Sequence, residues 1–151
     1  QIIPIFPRHI NTFVDMFSGG ANVGINVPAK KHIFNDMNYR INDMFRYFQS
    51  HDPLEILEQI EHRISEYQLS KTNEQGFLTF RKHYNTHPNP LDLYVLSSYS
   101  YNYQFRFNNS MEFNNPFGRN RSHFSENMKS NLLNFVARLH RLDATFSDQF
   151  F

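Results

Sequence analysis

Residues Thr12–Asn38 read TFVDMFSGGANVGINVPAKKHIFNDMN, and the order of residue types in this stretch decides the fold. Thr12-Phe13-Val14, β-branched and aromatic, reads as a short buried strand, and Asp15 stands at its carboxyl end. Small residues follow, Ser18-Gly19-Gly20-Ala21, and then a short helix from Asn22 to about Val27, stopped by Pro28. Ile33-Phe34 is a second apolar pair and runs into Asn35-Asp36. The pattern is strand, glycine loop, helix, strand, acid. Asp36 follows the loop at roughly the twenty-residue distance at which a carboxylate ending a second strand holds a ribose. Gly19 and Gly20 carry no Cβ, so their backbone can pass close to a ligand. The helix after them would aim free N–H groups at that ligand. A tight turn into a helix is the alternative that the pattern alone leaves open.

Composition narrows the class. A chain of 151 residues is one domain, or one domain with a small lobe. Aromatic residues make up 17%, all of them Phe and Tyr, which suits a packed globule and not a disordered chain. With no cysteine there is no disulfide, thiolate zinc site or redox pair, and an intracellular protein is the simpler reading. No apolar run is long enough to span a membrane, and no signal peptide is present. The net charge of +1 selects no partner, so the distribution of charge matters instead. The chain starts with Gln1 and not Met, as expected of a processed or excised piece.

The flanking segments are mostly helical. Residues 1–11, broken by Pro4 and Pro7, read as a helix ending followed by a turn. Ile41, Met44, Phe45 and Phe48 recur on one helical face. Asp52-Pro53-Leu54-Glu55 is a helix start, with a stripe of Leu54, Leu57, Ile60, Ile64 and Tyr67 after it. Lys71–Gly76 reads as polar linker. Phe77, Phe80 and Tyr84 mark a third helix ending near His87-Pro88, and Pro90 opens a fourth with Leu93, Leu96 and Tyr94. Alternation of Tyr101, Tyr103, Phe105 and Phe107 predicts a strand, Asn108-Asn109-Ser110 a turn, and Glu112-Phe113 a return strand that Pro116-Phe117-Gly118 interrupts. Ser125–Leu139 is helical again, with Met128, Leu132, Phe135, Val136 and Leu139 on one face, and Ala144-Thr145-Phe146 begins a further strand. His83 and His87 stand four apart but have no third ligand in the pattern, and Ser18 lies in no nucleophile elbow.

Three strings, taken in order, carry a resemblance: Phe13–Gly20 (FVDMFSGG), Asn35–Asn38 (NDMN) and Phe113–Arg119 (FNNPFGR). They resemble the Dam-like N6-adenine-specific DNA methyltransferases of bacteria and phages. Asn89–Tyr94 and Arg106-Phe107-Asn108 are similar to the same family, and the likeness covers nearly the whole chain. The resemblance implies an α/β fold: part of a Rossmann-like S-adenosylmethionine-dependent sheet in 1–50, an inserted, mainly helical DNA-recognition lobe in 51–141 with a hairpin at about 101–121, and a return to the core in 142–151. It implies transfer of a methyl group from S-adenosylmethionine to the exocyclic amine of adenine in double-stranded DNA. Asp15, Phe17, Ser18, Gly19, Gly20 and Asp36 would contact the cofactor, with Asp36 on the ribose hydroxyls. Arg106, Asn108, Asn114, Pro116, Arg119 and Arg121 would contact DNA. A cytoplasmic bacterial or phage setting, and a cognate restriction endonuclease linked by function and not by contact, are implied as well.

Departures from the family are specific. Ala21 stands where another glycine is usual, and Ser110-Met111 replaces a basic-Gly pair of the hairpin, which leaves the target sequence open. The family's catalytic D-P-P-Y string does not occur. It would fall beyond Phe151, and the basic, cofactor-contacting segment would fall before Gln1, so the chain reads as the middle of such an enzyme and, by itself, as inactive. A non-catalytic DNA- or cofactor-binding remnant is the alternative. A nucleotide-binding α/β domain unrelated to DNA is a third reading, separated from the others by duplex binding at low salt.

Overall fold

Parallel pairing organises the amino-terminal part of the chain. The computed structural model describes residues 2–150, so Gln1 and Phe151, the outer ends of the expected first and last segments, lie outside the described residues. Strands β1 (Ile10–Asp15), β2 (Ala29–Asn35) and β3 (Ala144–Ser147) form one sheet in the order β1-β2-β3. Both pairings are parallel, with Ile10 opposite Ala29, Asp15 opposite Phe34, and Phe34 opposite Phe146. Parallel strands need crossovers, and these bring all the carboxyl ends to one edge. Helices α1 (Tyr39–Ser50), α2 (Pro53–Glu66), α3 (Glu74–Thr86), α4 (Pro90–Tyr99) and α5 (Glu126–Leu139) complete the α/β composition.

The chain divides into two compact units. The first holds the residues up to Ser50 and those from Asn134 on. Its core is a stack of rings: Phe34 lies 5.3 Å from Phe146, Phe146 lies 5.5 Å from Phe45, and His32 stacks on Phe34 at 5.9 Å. The expected face of α1, with Ile41, Met44, Phe45 and Phe48, is buried. Buried Asn42 donates from Nδ2 to the carbonyls of Asp36 (2.7 Å) and Ser147 (2.8 Å) and to Asp148 Oδ1 (2.6 Å). Buried Asn35 donates to the carbonyls of Met16 (3.2 Å) and Gln149 (3.0 Å), and its Oδ1 accepts from Gln149 N.

The second unit, residues 51–133, is helical around α4. Leu91, Leu93, Val95, Leu96 and Tyr99 are all buried, so α4 is enclosed on every side, as an all-round apolar helix must be. Asp92, 1% exposed, is held by Arg63 Nε at 2.9 Å. Burial pushes its carboxyl above the ordinary range, and the Arg63 hydrogen bond and charge pull it back. The Asp52 cap forms as expected, accepting from Leu54 N and Glu55 N. Asn73 caps α3 in the same way by accepting from Gly76 N.

Several local expectations are corrected. β1 is an edge strand and not a buried one, with Val14 half exposed, because among the described residues it pairs on one side only. The helix expected over 22–27 is one 3-10 turn, Gly24–Asn26, since Pro28 leaves no room for more. Residues 3–5 form a 3-10 turn, and Ile10 and Asn11 belong to β1. On α2, Leu54 lies exposed in the first turn and Ile56 takes its place beside Leu57 and Ile60. Glu74–Gly76 is helix and not linker. The strand expected over 101–107 is absent: Tyr101–Tyr103 is a 3-10 turn, and only the isolated antiparallel bridges Ser100–Phe117 and Phe107–Phe113 remain. Phe117 therefore pairs where an interruption was expected. Pro116 contributes its carbonyl to Tyr101 N (2.8 Å), so its missing N–H is not needed.

Truncating Asn42 to Ala takes the Nδ2 donor from the half-buried Asp36 carbonyl and leaves the Ser147 carbonyl with Asp36 N alone. The intact protein is expected to lose about 2 kcal/mol of stability, seen as a lower urea midpoint with an unchanged m-value.

Candidate nucleotide and nucleic-acid sites

The carboxyl ends of β1 and β2 bring Asp15 and Asp36 to one edge of the first unit. Between them the chain makes a tight loop. Ser18 N donates to Asn35 O at 2.9 Å and Ala21 N to Ser18 O at 2.6 Å. Gly19, with φ +46°, donates its N–H to Asp36 Oδ2 at 2.9 Å. Asp36 Oδ1 accepts from Asn38 N at 2.9 Å. Asp36 thus ties the glycine loop to the end of β2 and starts the turn into α1. Each of its oxygens keeps a lone pair.

Ala21 occupies a left-handed position, φ +57°, and is 1% exposed. The loop keeps its shape without a glycine there, at the cost that any Cβ incurs in this region. Gly24, which sequence reasoning passed over, is the constrained glycine. A Cβ on it would lie 2.4 Å from Phe34 Cε1 and 3.1 Å from Asp15 Oδ2. At Gly19, in contrast, a Cβ would meet nothing within 4 Å.

The carboxylate of Asp15 accepts backbone hydrogen bonds from Phe17 and Gly24. Burial pushes its carboxyl above the ordinary range, these two bonds lower it, and the nearby charge of Asp36 raises it again. Ser18 Oγ is buried and has no hydrogen-bond partner. The ring of Phe17 is 80% exposed beside the loop. The site therefore combines two carboxylates, an unsatisfied hydroxyl and an open aromatic face. The helix start expected here is a single 3-10 turn, and its first N–H, that of Gly24, is taken by the Asp15 carboxylate.

The second set of predicted residues lies in the second unit, on the segment that ends at Arg121. Asn114 N donates to Arg106 O and Asn108 N to Glu112 O, both at 3.0 Å, which makes a narrow hairpin about the Phe107–Phe113 bridge. Asn108 is spent on the turn: Oδ1 accepts from Ser110 N and Glu112 N, and Nδ2 donates to Glu112 Oε2 at 2.7 Å. Arg119 is ion-paired with Glu74. Arg106, Asn114, Pro116 and Arg121 are exposed, and neither Arg106 nor Arg121 has an ion pair among the described residues.

Two asparagines missed in the sequence hold this segment. Asn85 on α3 accepts from Phe113 N (2.8 Å) and donates to Phe113 O (3.0 Å), in the manner of a strand partner. Asn115, 1% exposed, donates to Ser100 Oγ, Tyr101 O and Gln104 O within 2.9–3.0 Å. The only sequence signal for Asn115 was its place inside the FNNPFG string. His83 and His87 stack at 5.2 Å, and no group of three metal-ligating side chains occurs among the described residues.

Comparison with known proteins gives a consistent picture. The family described as D12 class N6 adenine-specific DNA methyltransferase matches residues 1–149. The chain is 76% identical over 151 residues to modification methylase StsI of Streptococcus sanguinis, and 52% identical over 146 residues to type II methyltransferase M.FokI of Planomicrobium okeanokoites. It is 32% identical over 140 residues to modification methylase LlaI of Lactococcus lactis subsp. lactis. These matches cover 100%, 97% and 91% of this chain but only 23%, 23% and 22% of the relatives, so the chain spans less than a quarter of their length.

The raised Asp15 carboxyl has a pH signature. Its charged form is penalised in the folded state, so the wild type is relatively more stable in acid and loses that advantage as pH rises through the folded-state pKa. The stability of Asp15→Asn minus that of the parent should therefore rise between about pH 3 and pH 7 in denaturant melts.

Proposed function

Because the chain belongs to the D12 class of N6 adenine-specific DNA methyltransferases, we propose that it is the segment of such an enzyme that holds S-adenosylmethionine and contacts duplex DNA. In this reading the intact protein methylates the exocyclic amine of adenine. The observation that carries the cofactor half is the bond between Gly19 N–H and the Asp36 carboxylate. It joins the glycine loop to the acid that ends the second strand, the arrangement expected around a ribose.

The residues present fit the cofactor. Ser18 offers a buried hydroxyl with no partner, and the loop is open on the side of Gly19. Asp15 and Asp36 put two negative charges at one edge, and a ligand bearing ammonium and sulfonium groups relieves their repulsion. When bound, S-adenosylmethionine supplies a methyl group on a positively charged sulfur, from which it leaves readily. Asp36 accepts from the ribose hydroxyls through its remaining lone pairs, while Phe17 covers one flank. Transfer is an in-line displacement, so these residues act by orientation and not by moving protons. No residue of the chain is assigned to the target amine.

In the second unit, the inserted recognition lobe of this reading, Arg106 and Arg121 meet phosphates or a guanine edge, with Asn114 and Pro116 beside them. Asn108 and Arg119 take part by holding the hairpin, and reach DNA only by exchanging Glu112 or Glu74 for it. Two of the relatives are named modification methylases, which supports a restriction–modification setting with a cognate endonuclease acting on the same target. No helix of the described residues is long and apolar enough to cross a membrane.

Replacing Asp36 with Ala in the intact protein should weaken S-adenosylmethionine binding by about tenfold to a hundredfold in calorimetry, the worth of a charged hydrogen-bond acceptor. Asp52→Ala, which removes the same charge from the cap of α2, should leave that affinity unchanged. Equal affinity in the Asp36 and Asp52 variants would refute the ribose role.

A further inference from the structure

The sheet of the first unit carries opposite charge at the two ends of its strands. Asp15, Asp36 and Asp148 stand at the carboxyl ends. Arg8 and His9 lead into β1, and Lys30 is the second residue of β2. Ile10 pairs with Ala29 and Thr12 with Lys31, so these amino ends lie side by side and Asn11 comes level with Lys30. Together they open on a cavity of about 520 Å³. Arg8, His9, Asn11, Pro28 and Lys30 line it, and no acid among the described residues does. Neither Arg8 nor Lys30 has an ion pair among the described residues. The other acids of the unit do not offset them: Asp43 is paired with Arg46, and Asp143 precedes β3 on the far side of β2.

The walls of this cavity are fixed while its charged tips are free. Phe6 meets the Phe13 ring edge-on at 5.5 Å, which fastens the chain ahead of Arg8 to β1. On the other side the Val27 carbonyl accepts from Ala29 N and from Nε2 of buried His32, both at 3.0 Å. Pro7 and Pro28 fix φ immediately before Arg8 and Ala29. Two unpaired cations in one concavity repel each other until an anion lies between them. A guanidinium presents a fork that matches two phosphate oxygens, and an ammonium adds a point charge. One carboxylate would offset only one of the two cations, whereas a phosphate monoester brings about −1.5 to −2 at pH 7. The volume exceeds that of a bare phosphate and falls in the range of small-ligand pockets, which leaves room for the molecule bearing the phosphate.

We propose that this cavity is a second ligand site, which takes the terminal phosphate of a small phosphorylated molecule. Arg8 holds two phosphate oxygens, Lys30 neutralises the second charge, and Asn11 and His9 donate at the rim. The site stands a strand's length from Asp15 and Asp36, so it is separate from the candidate cofactor site. It does not depend on the methyltransferase reading.

The test is calorimetry of the intact protein with inorganic pyrophosphate at low salt. Arg8→Ala/Lys30→Ala should weaken binding about tenfold to a hundredfold. Lys31→Ala removes the same charge one residue on, where strand alternation turns the side chain to the opposite face, and should bind as the parent does. All three side chains are exposed, so the variants should unfold at the parental temperature. Equal weakening by Lys30→Ala and Lys31→Ala would reduce the effect to general attraction by a basic strand and overturn the site. Absence of pyrophosphate binding by the parent would overturn it too. In a second measurement, anisotropy of a fluorescent mixed-sequence duplex against salt, the Arg8/Lys30 double variant should keep the parental slope. A slope smaller by about 0.9 for each cation removed would assign the site to a nucleic-acid backbone and overturn the small-ligand proposal.

Discussion

Strands that diverge leave carbonyls with no ladder to enter, and buried carbonyls without donors are costly. In the first unit two buried side-chain amides resolve this at the carboxyl edge of the sheet. Asn35 joins the ends of β1 and β2 to the chain that follows β3, and Asn42 joins Asp36 to Ser147. The remaining features of the candidate cofactor site depend on this fixed edge. Asp36 can grip the glycine loop because the Asn42 amide holds its own carbonyl, and Ser18 enters the loop with its N–H on Asn35 O.

The second unit uses amides for the same purpose in a different setting. Its hairpin has two isolated bridges and no regular strand, so backbone pairing alone leaves it weak. Asn85 pairs with both polar groups of Phe113, and Asn115 collects the carbonyls of the preceding corner. Gly118 allows the close approach that follows, where a Cβ would stand 2.8 Å from the Ser100 carbonyl oxygen. The exposed arginines are thereby carried on a segment fastened to helices, and not on a free loop. Positioned donors suit phosphate recognition better than mobile ones, because less conformational freedom is lost on contact.

Charge is distributed to match. Asp15 and Asp36 make one edge of the first unit negative, and the hairpin segment presents Arg106 and Arg121. A net charge of +1 hides this separation, which is why composition by itself excluded no partner. In the proposed function the two sets of residues would serve ligands of opposite character, a small cation-bearing cofactor and a polyanion.

Much of the architecture was legible locally. Strand, glycine loop, strand and Asp36 were readable because each is written in adjacent residue types, and the α1 face and Asp52 cap because helical spacing and cap chemistry act within a few residues. What failed were readings that depended on partners far along the chain. Leu54 followed the periodicity yet faces solvent, and Tyr101–Phe107 alternated like a strand yet turns, because Asn115 claims its carbonyls. Lys30 and Lys31 hid the first half of β2, since nothing apolar announces a strand that pairing alone creates. Gly24 looked unremarkable until Phe34 and Asp15 closed on it. The sequence by itself determined the order of the three sheet strands and the five α-helices, the family and the positions of the charged residues, since these follow from residue type and short spacing. Only tertiary structure decided which amides gather the strand ends, which glycines are crowded and which arginines lack an ion pair among the described residues, because each depends on groups brought together from distant parts of the chain.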